Sequence, residues 1–539
     1  MNISIKAVGA YFTPAGIVAD TASNPKYAHY KIDITDNTYI LYVTSKLSPA
    51  GISVRIPLKV KDTEMVFMNG FQSATDSREH TLKYKMRGVD AMSTYAKRVY
   101  TEAVGGDYSI VKYKNEPGVT HGFSYCYFRK GDHYRLFGSL DESTGYTVFK
   151  YDANTSTLKV SKDIEGVTCF DNYKAMSIFF AEGTEDYVFD KWFEAIGKKD
   201  TIPAPEIVGY STKKLDDIDE KLILRKLSAV KRCYPVKANA YIIDGEYCVH
   251  GDWLEVYEHK FPKGMRALSD KIKSSDMISG ICISPFTVDE KSEVFVKHKD
   301  WMLSMPNGRF VKANKDLYVL DSENESVRAY VRGVIHNILY MWGFDMIKLD
   351  NLYVAGISCG NGKSRGERMC SAMEFLRECC GGKLMYTDHT PLMPAFGLAD
   401  YCAISCDAYS HKIPHAYAKR FYRESISVRN ASADIVFRRG LNKRAFLSAP
   451  CGISFDEKEF FFDGNLNNAE QNVLTNIAGL YSNVLVFHDS GAAYDQKMKL
   501  RFVKMCNLSR AKDIVLEKVE NGFVINYKLD GRSYVIKFR

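Results

Sequence analysis

No stretch of 18 consecutive apolar residues occurs in this 539-residue chain, so no membrane-spanning helix is expected. Charge of one sign is not concentrated anywhere. The formal net charge is +8, and the 73 Lys and Arg are dispersed instead of forming a tail or stripe, which argues against a nucleic-acid-binding surface. The first twenty residues hold Lys6 and Asp20 but no sustained apolar core, so no secretory leader is expected. The 13 cysteines are odd in number and irregularly spaced, a pattern of free thiols in a reducing, cytoplasmic compartment. Cys370, Cys379 and Cys380 fall on a predicted helix with no histidine at metal-ligand spacing, which argues against a zinc site. Gly360-Asn361-Gly362-Lys363-Ser364 ends like a phosphate-binding loop. It lacks the required spacing from its first glycine and does not directly follow a strand, so that reading fails.

What is present is the composition of a soluble globular protein, 46% apolar and 26% charged, too long for one hydrophobic core. Residues 1 to about 200 alternate apolar and polar residues in short runs, such as Tyr39-Ile40-Leu41-Tyr42-Val43 and Thr157-Leu158-Lys159-Val160. Turn signals such as Glu142-Ser143-Thr144-Gly145 separate them, and the pattern is that of a β-sandwich. Tyr187 to Ala195 reads as a connecting helix and Ile202-Pro203-Ala204-Pro205 as a stiff boundary. From 205 the rhythm changes to strand then helix. Strands are expected at 207–211, 240–244, 279–284, 346–350, 383–387, 402–406, 444–448 and 483–488. Helices are expected at 215–231, 262–274, 324–341, 365–380, 412–430 and 465–480. Eight such units over 205–488 fit a (β/α)8 TIM barrel, with 285–320 as a loop over the strand-end face. A small C-terminal β-domain is expected at 495–539, including a strand at Leu500-Arg501-Phe502-Val503.

Three of the expected barrel strands stop at an aspartate: Asp244, Asp350 and Asp407. A carboxylate closing an apolar run is costly to bury, so it is expected to face a solvent cavity, and the C-terminal strand ends of a barrel form its active site. Carboxylates paired across such a mouth are the equipment of a glycoside hydrolase. Lys348 and Asp350 lie two apart on one strand and so share a face, where the ammonium keeps the carboxylate ionised, as a nucleophile requires. Asp407 is placed to donate a proton to the leaving oxygen and then to act as base toward water. The competing reading of each aspartate is a cap for the helix that follows. Asp252-Trp253, in the loop after the second strand, suits a sugar platform or a loop anchor. Asp388 and His389, ending the fifth strand, suit hydroxyl contacts or loop structure. Arg365 and Arg368 start a helix, where a cation opposes the dipole.

These residues stand in motifs that resemble the clan of retaining α-galactosidases, most nearly glycoside hydrolase family 36. The resemblance covers roughly 205–455. It is carried in order by Gly251-Asp252-Trp253-Leu254, Lys260-Phe261-Pro262-Lys263-Gly264-Met265, Ser284-Pro285-Phe286, His298-Lys299-Asp300-Trp301, Val319-Leu320-Asp321, Lys348-Leu349-Asp350-Asn351-Leu352-Tyr353-Val354-Ala355-Gly356 and Pro391-Leu392-Met393-Pro394-Ala395-Phe396-Gly397. It implies a β-sandwich, a catalytic barrel and a C-terminal β-domain, no cofactor, an α-glycoside or oligosaccharide substrate, net retention, and often a homo-oligomer. It also implies Asp350 as nucleophile and Asp407 as acid/base, with Asp244 among the sugar-binding residues. Several positions depart from the family pattern. Ile243 stands where a second aspartate is usual, Ala403 replaces an arginine, Asp388 replaces a cysteine, and Ala449-Pro450-Cys451 replaces Asp-Pro-Asp. The usual tryptophans are missing from Gly209-Tyr210-Ser211-Thr212. Each charged hydrogen-bonding group removed from a sugar pocket costs about 1.5–3 kcal/mol. The expectation is therefore retained chemistry on a glycone other than plain galactose. The alternatives are an inactive carbohydrate-binding homologue and a transglycosylase using the same intermediate.

Overall fold

The computed structural model describes residues 7–11, 18–19, 28–35, 37–46, 48–88, 110–197, 204–215, 217–314, 316–357, 362–408, 423–424, 426–450, 452–455, 468–519 and 522–538. Two antiparallel sheets, of six and seven strands, make up the N-terminal part. The alternation in Thr38–Ser45 explains why they pack. Tyr39, Leu41 and Val43 share one face of the seven-stranded sheet. They join Ile52, Val54 and Ile56 of the six-stranded sheet in a common core.

The helix Glu185–Ile196 follows the last sandwich strand, capped by the Thr184 hydroxyl, which accepts from the Tyr187 N–H. Its Trp192 is fully buried, and the indole Nε1 donates to the Ser139 carbonyl at 2.8 Å. Gly138 permits this approach, because a Cβ there would lie 2.4 Å from the indole ring. On its other side Trp192 meets Phe396 edge-on at 5.9 Å, which ties the sandwich to the barrel.

The barrel strands are Ile207–Ser211, Ala240–Ile243, Ile278–Ile283, Met346–Leu349, Leu384–Thr387, Tyr401–Ala403, Leu447–Ala449 and Val484–Phe487. All pairs are parallel, the eighth strand pairs with the first, and the Asn483 N–H donates to the Ser448 carbonyl where the seventh meets the eighth. The expected strands match in order and place, with the sixth and seventh shorter than their patterns. Alternation again sorts the side chains. Ala240, Ile242, Met346, Tyr386, Ala403 and Val486 fill the barrel interior. Ile281, Ile347, Leu349, Met385 and Cys402 face outward into the larger core beneath the helices. The helix Glu325–His336 buries Val327, Val331, Val334 and Ile335 on its apolar side and continues as a π-helical turn, Asn337–Met341.

Some expectations change. Leu500-Arg501-Phe502-Val503 is not a strand. It lies in the helix Gln496–Asn507, which buries Phe502 and Met505 at helical spacing, and the tail sheet is Lys512–Val519, Gly522–Leu529 and Arg532–Phe538. In the region 412–430 the observed helix is Val428–Phe437, and 412–422 lie outside the described residues. So do Ile202, Pro203, Gly360, Asn361 and Cys451. Ser364 caps the helix Arg365–Cys380 in a capping box with Glu367, which accounts for the end of the phosphate-loop-like motif. Arg365 pairs with Asp163 and Glu165 of the sandwich and Arg368 with Asp321, so side-chain anions offset the unfavourable dipole.

Candidate active site

The interior columns of the barrel continue past the strand ends, and the period of two decides what faces the mouth. Ile242 leads to Asp244, Met346 to Lys348 and Asp350, Tyr386 to Asp388, Ala403 to Ser405 and Asp407, and Val486 to His488. These ends surround a cleft lined among others by Lys213, Lys348, Asp388, His389, Asp407 and His488 over a floor that includes Ile242, Tyr386 and Ala403.

Lys348 is the hub. Its Nζ lies 3.0 Å from Asp244 Oδ2 and 3.3 Å from Asp388 Oδ2, and 5.7 Å from the centre of the Tyr386 ring. Burial opposes its charge, but Asp244 and Asp388 outweigh that, so the ammonium is held charged. Asp350 accepts from the Asn351 backbone N–H at 2.7 Å and bonds His389 Nδ1 at 2.8 Å. Burial alone would raise its carboxyl. His389, Lys213 and Lys348 override burial and hold it well below the usual carboxylate range. His389 is raised in turn: burial opposes its charge, and Asp388 and Asp350 favour it.

Asp407 sits 3.3 Å from Lys214 Nζ. It too is held below its usual range, burial being outweighed chiefly by Lys214 and Lys213. Lys213 reaches Asp388 at 3.7 Å. Both lysines come from the turn after the first strand. Its shape is fixed by Thr212, whose hydroxyl accepts from the Asp244 N–H at 2.8 Å and donates to the Asp244 carbonyl at 2.9 Å. His488 is buried, and burial first and the lysines next push it down to about 3, so its ring is neutral.

The structure thus brings Asp244, Lys348, Asp350, Asp388, His389 and Asp407 together. It does not bring Asp252 or Trp253 to the cleft. Asp252 caps the helix Glu293–Lys297, accepting from the Glu293 and Val294 N–H groups at 2.8 and 3.1 Å. Trp253 is buried against His250 at 4.7 Å and anchors its loop. Ile243, where the resemblance implies a second carboxylate, points outward into the helix-side core, whereas Ala403, at the position of the usual arginine, lines the cleft. Lys213, Lys214 and His488 were not singled out from the sequence. Asp350, Asp388 and His389 offer ligand atoms within 4.8 Å of one another, but Lys348 and the histidine itself already engage those oxygens.

Residues 244–373 match the Melibiase family. The chain is 32% identical over 100 residues to the α-galactosidase AgaA of Geobacillus stearothermophilus, a stretch covering 19% of this chain and 13% of that protein. It is 39% identical over 56 residues to an Escherichia coli α-galactosidase, covering 10% of this chain and 8% of that protein. These alignments therefore span a small part of the relatives' length. The fold extends much further. The α-galactosidase TtGalA of Thermus thermophilus, solved with p-nitrophenyl α-D-galactopyranoside, superposes with a TM-score of 0.71 at 20% identity over 99% of this chain and 98% of that one. The family 36 enzyme AgaA, solved with raffinose, gives 0.60 at 11% identity over 99% of this chain and 78% of that one. Over residues 244–373 the chain is thus similar to the Melibiase family, and its fold is that of the solved family 36 α-galactosidases.

Proposed function

We propose that the protein is a retaining α-glycoside hydrolase that works by double displacement, with Asp350 as nucleophile and Asp407 as acid/base. The observation that carries this reading is the position of the two aspartates. Each ends an inward-facing column, on the fourth and sixth barrel strands, and each is charged; Asp407 lines the cleft, and Asp350 bonds His389, which also lines it. Attack by Asp350 at the anomeric carbon forms a glycosyl ester while the leaving group departs. Water activated by Asp407 then cleaves the ester and restores the anomeric configuration. The Asn351 N–H and His389 aim and stabilise the attacking carboxylate. Asp244 and Asp388, fixed by Lys348, present oxygens to sugar hydroxyls.

The cleft supports a glycone other than plain terminal galactose. Ala403 and Ile242 give its floor apolar surface, and Asp388 adds a carboxylate at a position the family usually fills with cysteine. Two experiments test the reading. A panel of aryl α-glycosides covering galactose, N-acetylgalactosamine, glucose, the pentoses and fucose identifies the glycone. An activated fluoro-glycoside of that sugar should then add one glycosyl mass to the peptide bearing Asp350, and Asp350→Ala should take up none. Turnover that survives in Asp350→Ala would refute the assignment.

A further inference from the structure

The loop between the sandwich strands Met65–Met68 and Glu79–His80 is buried along its whole length, from Asn69 to Arg78. A buried loop needs a partner for each backbone polar group, because water does not reach it. Much of that need is met by Arg438, at the C-terminal end of the helix Val428–Phe437. Arg438 is fully buried, and its contacts match the five N–H donors of a guanidinium. Nε donates to Asn69 Oδ1 at 2.9 Å, and Nη2 donates to the Gln72 and Thr75 carbonyls at 3.1 and 3.2 Å. Nη1 donates to the Ser73 carbonyl at 2.6 Å and to the Ile404 carbonyl, also at 2.6 Å. One turn back, Asp434 Oδ1 accepts from the Ser77 N–H at 2.6 Å, so the helix end grips the loop twice.

Two of the loop's contacts fall on strand ends that carry cleft residues. Ile404 still belongs to the barrel ladder through its N–H, which donates to the Ala449 carbonyl at 3.0 Å, while its own carbonyl turns to Arg438. Beyond it, Ser405 and Asp407 line the cleft. Ser73, which accepts from Arg438, also donates its N–H to the carbonyl of Thr390 at 3.1 Å, the residue after His389. One path of hydrogen bonds therefore runs through Thr390, Ser73, Arg438 and Ile404. It joins the ends of the fifth and sixth strands through a residue of the sandwich. A guanidinium serving only to join two domains could rest anywhere on the barrel. This one rests where the chain leaves the sheet for Asp407. An acid/base works only within about 2.6–3.2 Å of the oxygen it serves, first the leaving oxygen and then water. Resting on the assignment of Asp350 and Asp407, we propose that Arg438 is a positioning residue for the acid/base. It fixes the end of the sixth strand against the sandwich loop and so sets where Asp407 stands relative to the His389–Asp350 pair.

The test uses the whole protein and two substrates of the glycone found in the panel, a dinitrophenyl α-glycoside and an α-linked disaccharide. Dinitrophenolate leaves without a proton, whereas a sugar alkoxide needs one from Asp407. Asp407→Ala gives the reference pattern. Its kcat/KM collapses for the disaccharide and holds for the dinitrophenyl glycoside. Azide, which needs no base, restores the lowered kcat of the latter and yields a glycosyl azide. Arg438→Lys keeps the charge but offers three donors in place of five. It should show the same pattern, with a loss of about 100-fold on the disaccharide, the scale of a misplacement of about 1 Å. Asn69→Ala removes the Nε acceptor and a bond to the Phe123 carbonyl. It should show the pattern at about 10-fold, and it decides the matter where circular dichroism finds Arg438→Lys unfolded. A lower folded fraction cuts both substrates by one factor and is not rescued by azide. Such a uniform loss, or kinetics unchanged from the wild type in a folded variant, would overturn the inference while Asp407→Ala keeps its pattern. An Asp407→Ala variant without leaving-group dependence, or a wild type that turns over neither substrate, would instead sink the assignment on which the inference rests.

Discussion

Buried carboxylates in two regions of this molecule titrate in opposite directions. At the barrel mouth Asp350 and Asp407 are held below the ordinary range, although burial acts to raise them. Where the sandwich meets the helix Arg365–Cys380, burial wins. Glu142 is pushed up to about 7 and Asp163 to about 6, with Lys162 and Arg365 opposing. This contact is close. A Cβ on Gly366 would lie 2.6 Å from the Glu142 carbonyl oxygen, and Arg365 pairs with Asp163 at 3.0 Å. Desolvation is common to both regions, so the number of cations acting on each carboxylate decides the sign. In the cleft, Lys213, Lys214, Lys348 and His389 are threaded among four aspartates. At the seam each acid meets a single main cation. The cleft carboxylates Asp350 and Asp407 are thus kept charged by more than one cation each, while Glu142 and Asp163, with one main cation each, titrate near neutral pH.

The largest effect should come from removing charge on the reactive side. Asp350→Asn keeps the shape of the side chain and removes the charge on which the proposed nucleophile role depends. The kcat for a hydrolysed aryl α-glycoside should fall by about 10⁴-fold, the scale seen when one member of a covalent constellation is lost. Circular dichroism should be unchanged, and a smaller loss accompanied by altered spectra would mean that Asp350 supports the fold instead. Next comes the hub. Lys348→Met leaves Asp244 and Asp388 buried without their shared ammonium, at a cost of about 3–5 kcal/mol, measured as an earlier urea midpoint. An unchanged midpoint would mean that the aspartates take up protons as Glu142 does, and the contrast between the two regions would dissolve.

The same alternation that separates these regions was legible in the sequence, but it was followed only where it ended in aspartate. Strand order, the inward columns and the grouping of Asp244, Lys348, Asp350, Asp388, His389 and Asp407 all follow from the period of two. Val484, Val486 and His488 obey it equally, so His488 was within reach. Lys213 and Lys214 were not, because their direction depends on Thr212 bonding the Asp244 backbone 32 residues away, a contact that no local pattern encodes. Asp252-Trp253 reads alike as a sugar platform or as a cap and anchor, and the helix Glu293–Lys297 that Asp252 caps is 41 residues on. The tail helix shows how a four-residue window misleads. Leu500 and Phe502 alternate like a strand, but the buried pair is Phe502 and Met505, spaced for a helix.

A smaller effect probes the neutral histidine that borders the charged cluster. Gly452 packs against His488 so closely that a Cβ would fall 1.8 Å from ring Cε1. Gly452→Ala must displace the ring, at about 1–3 kcal/mol of overpacking. It should lower the melting temperature and reduce kcat/KM, because His488 forms one wall of the cleft. Stability lost without any change in kinetics would place His488 outside the reaction.

The smallest effect isolates the seam. A carboxyl raised from 4.5 to about 7 on folding binds more protons in the native state than in the unfolded one across that interval. Its contribution to stability is therefore complete below about pH 4.5 and is lost as pH rises through about 7. Glu142→Gln retains an oxygen to accept from the Thr147 N–H, which Glu142 Oε2 accepts at 2.6 Å, but it cannot ionise. The melting temperature of the variant minus that of the wild type should rise steadily between pH 4.5 and 7.5 and level off above. The difference curve matters more than either profile. Buried neutral histidines such as His250 and His488, lowered to about 4 and about 3, impose the opposite slope below pH 6.5 in both proteins and cancel. The cleft aspartates lose their contribution only in more acidic solution, below the unfolded carboxylate range. A flat difference would show that Lys162 keeps Glu142 ionised, and the seam would then follow the same rule as the cleft.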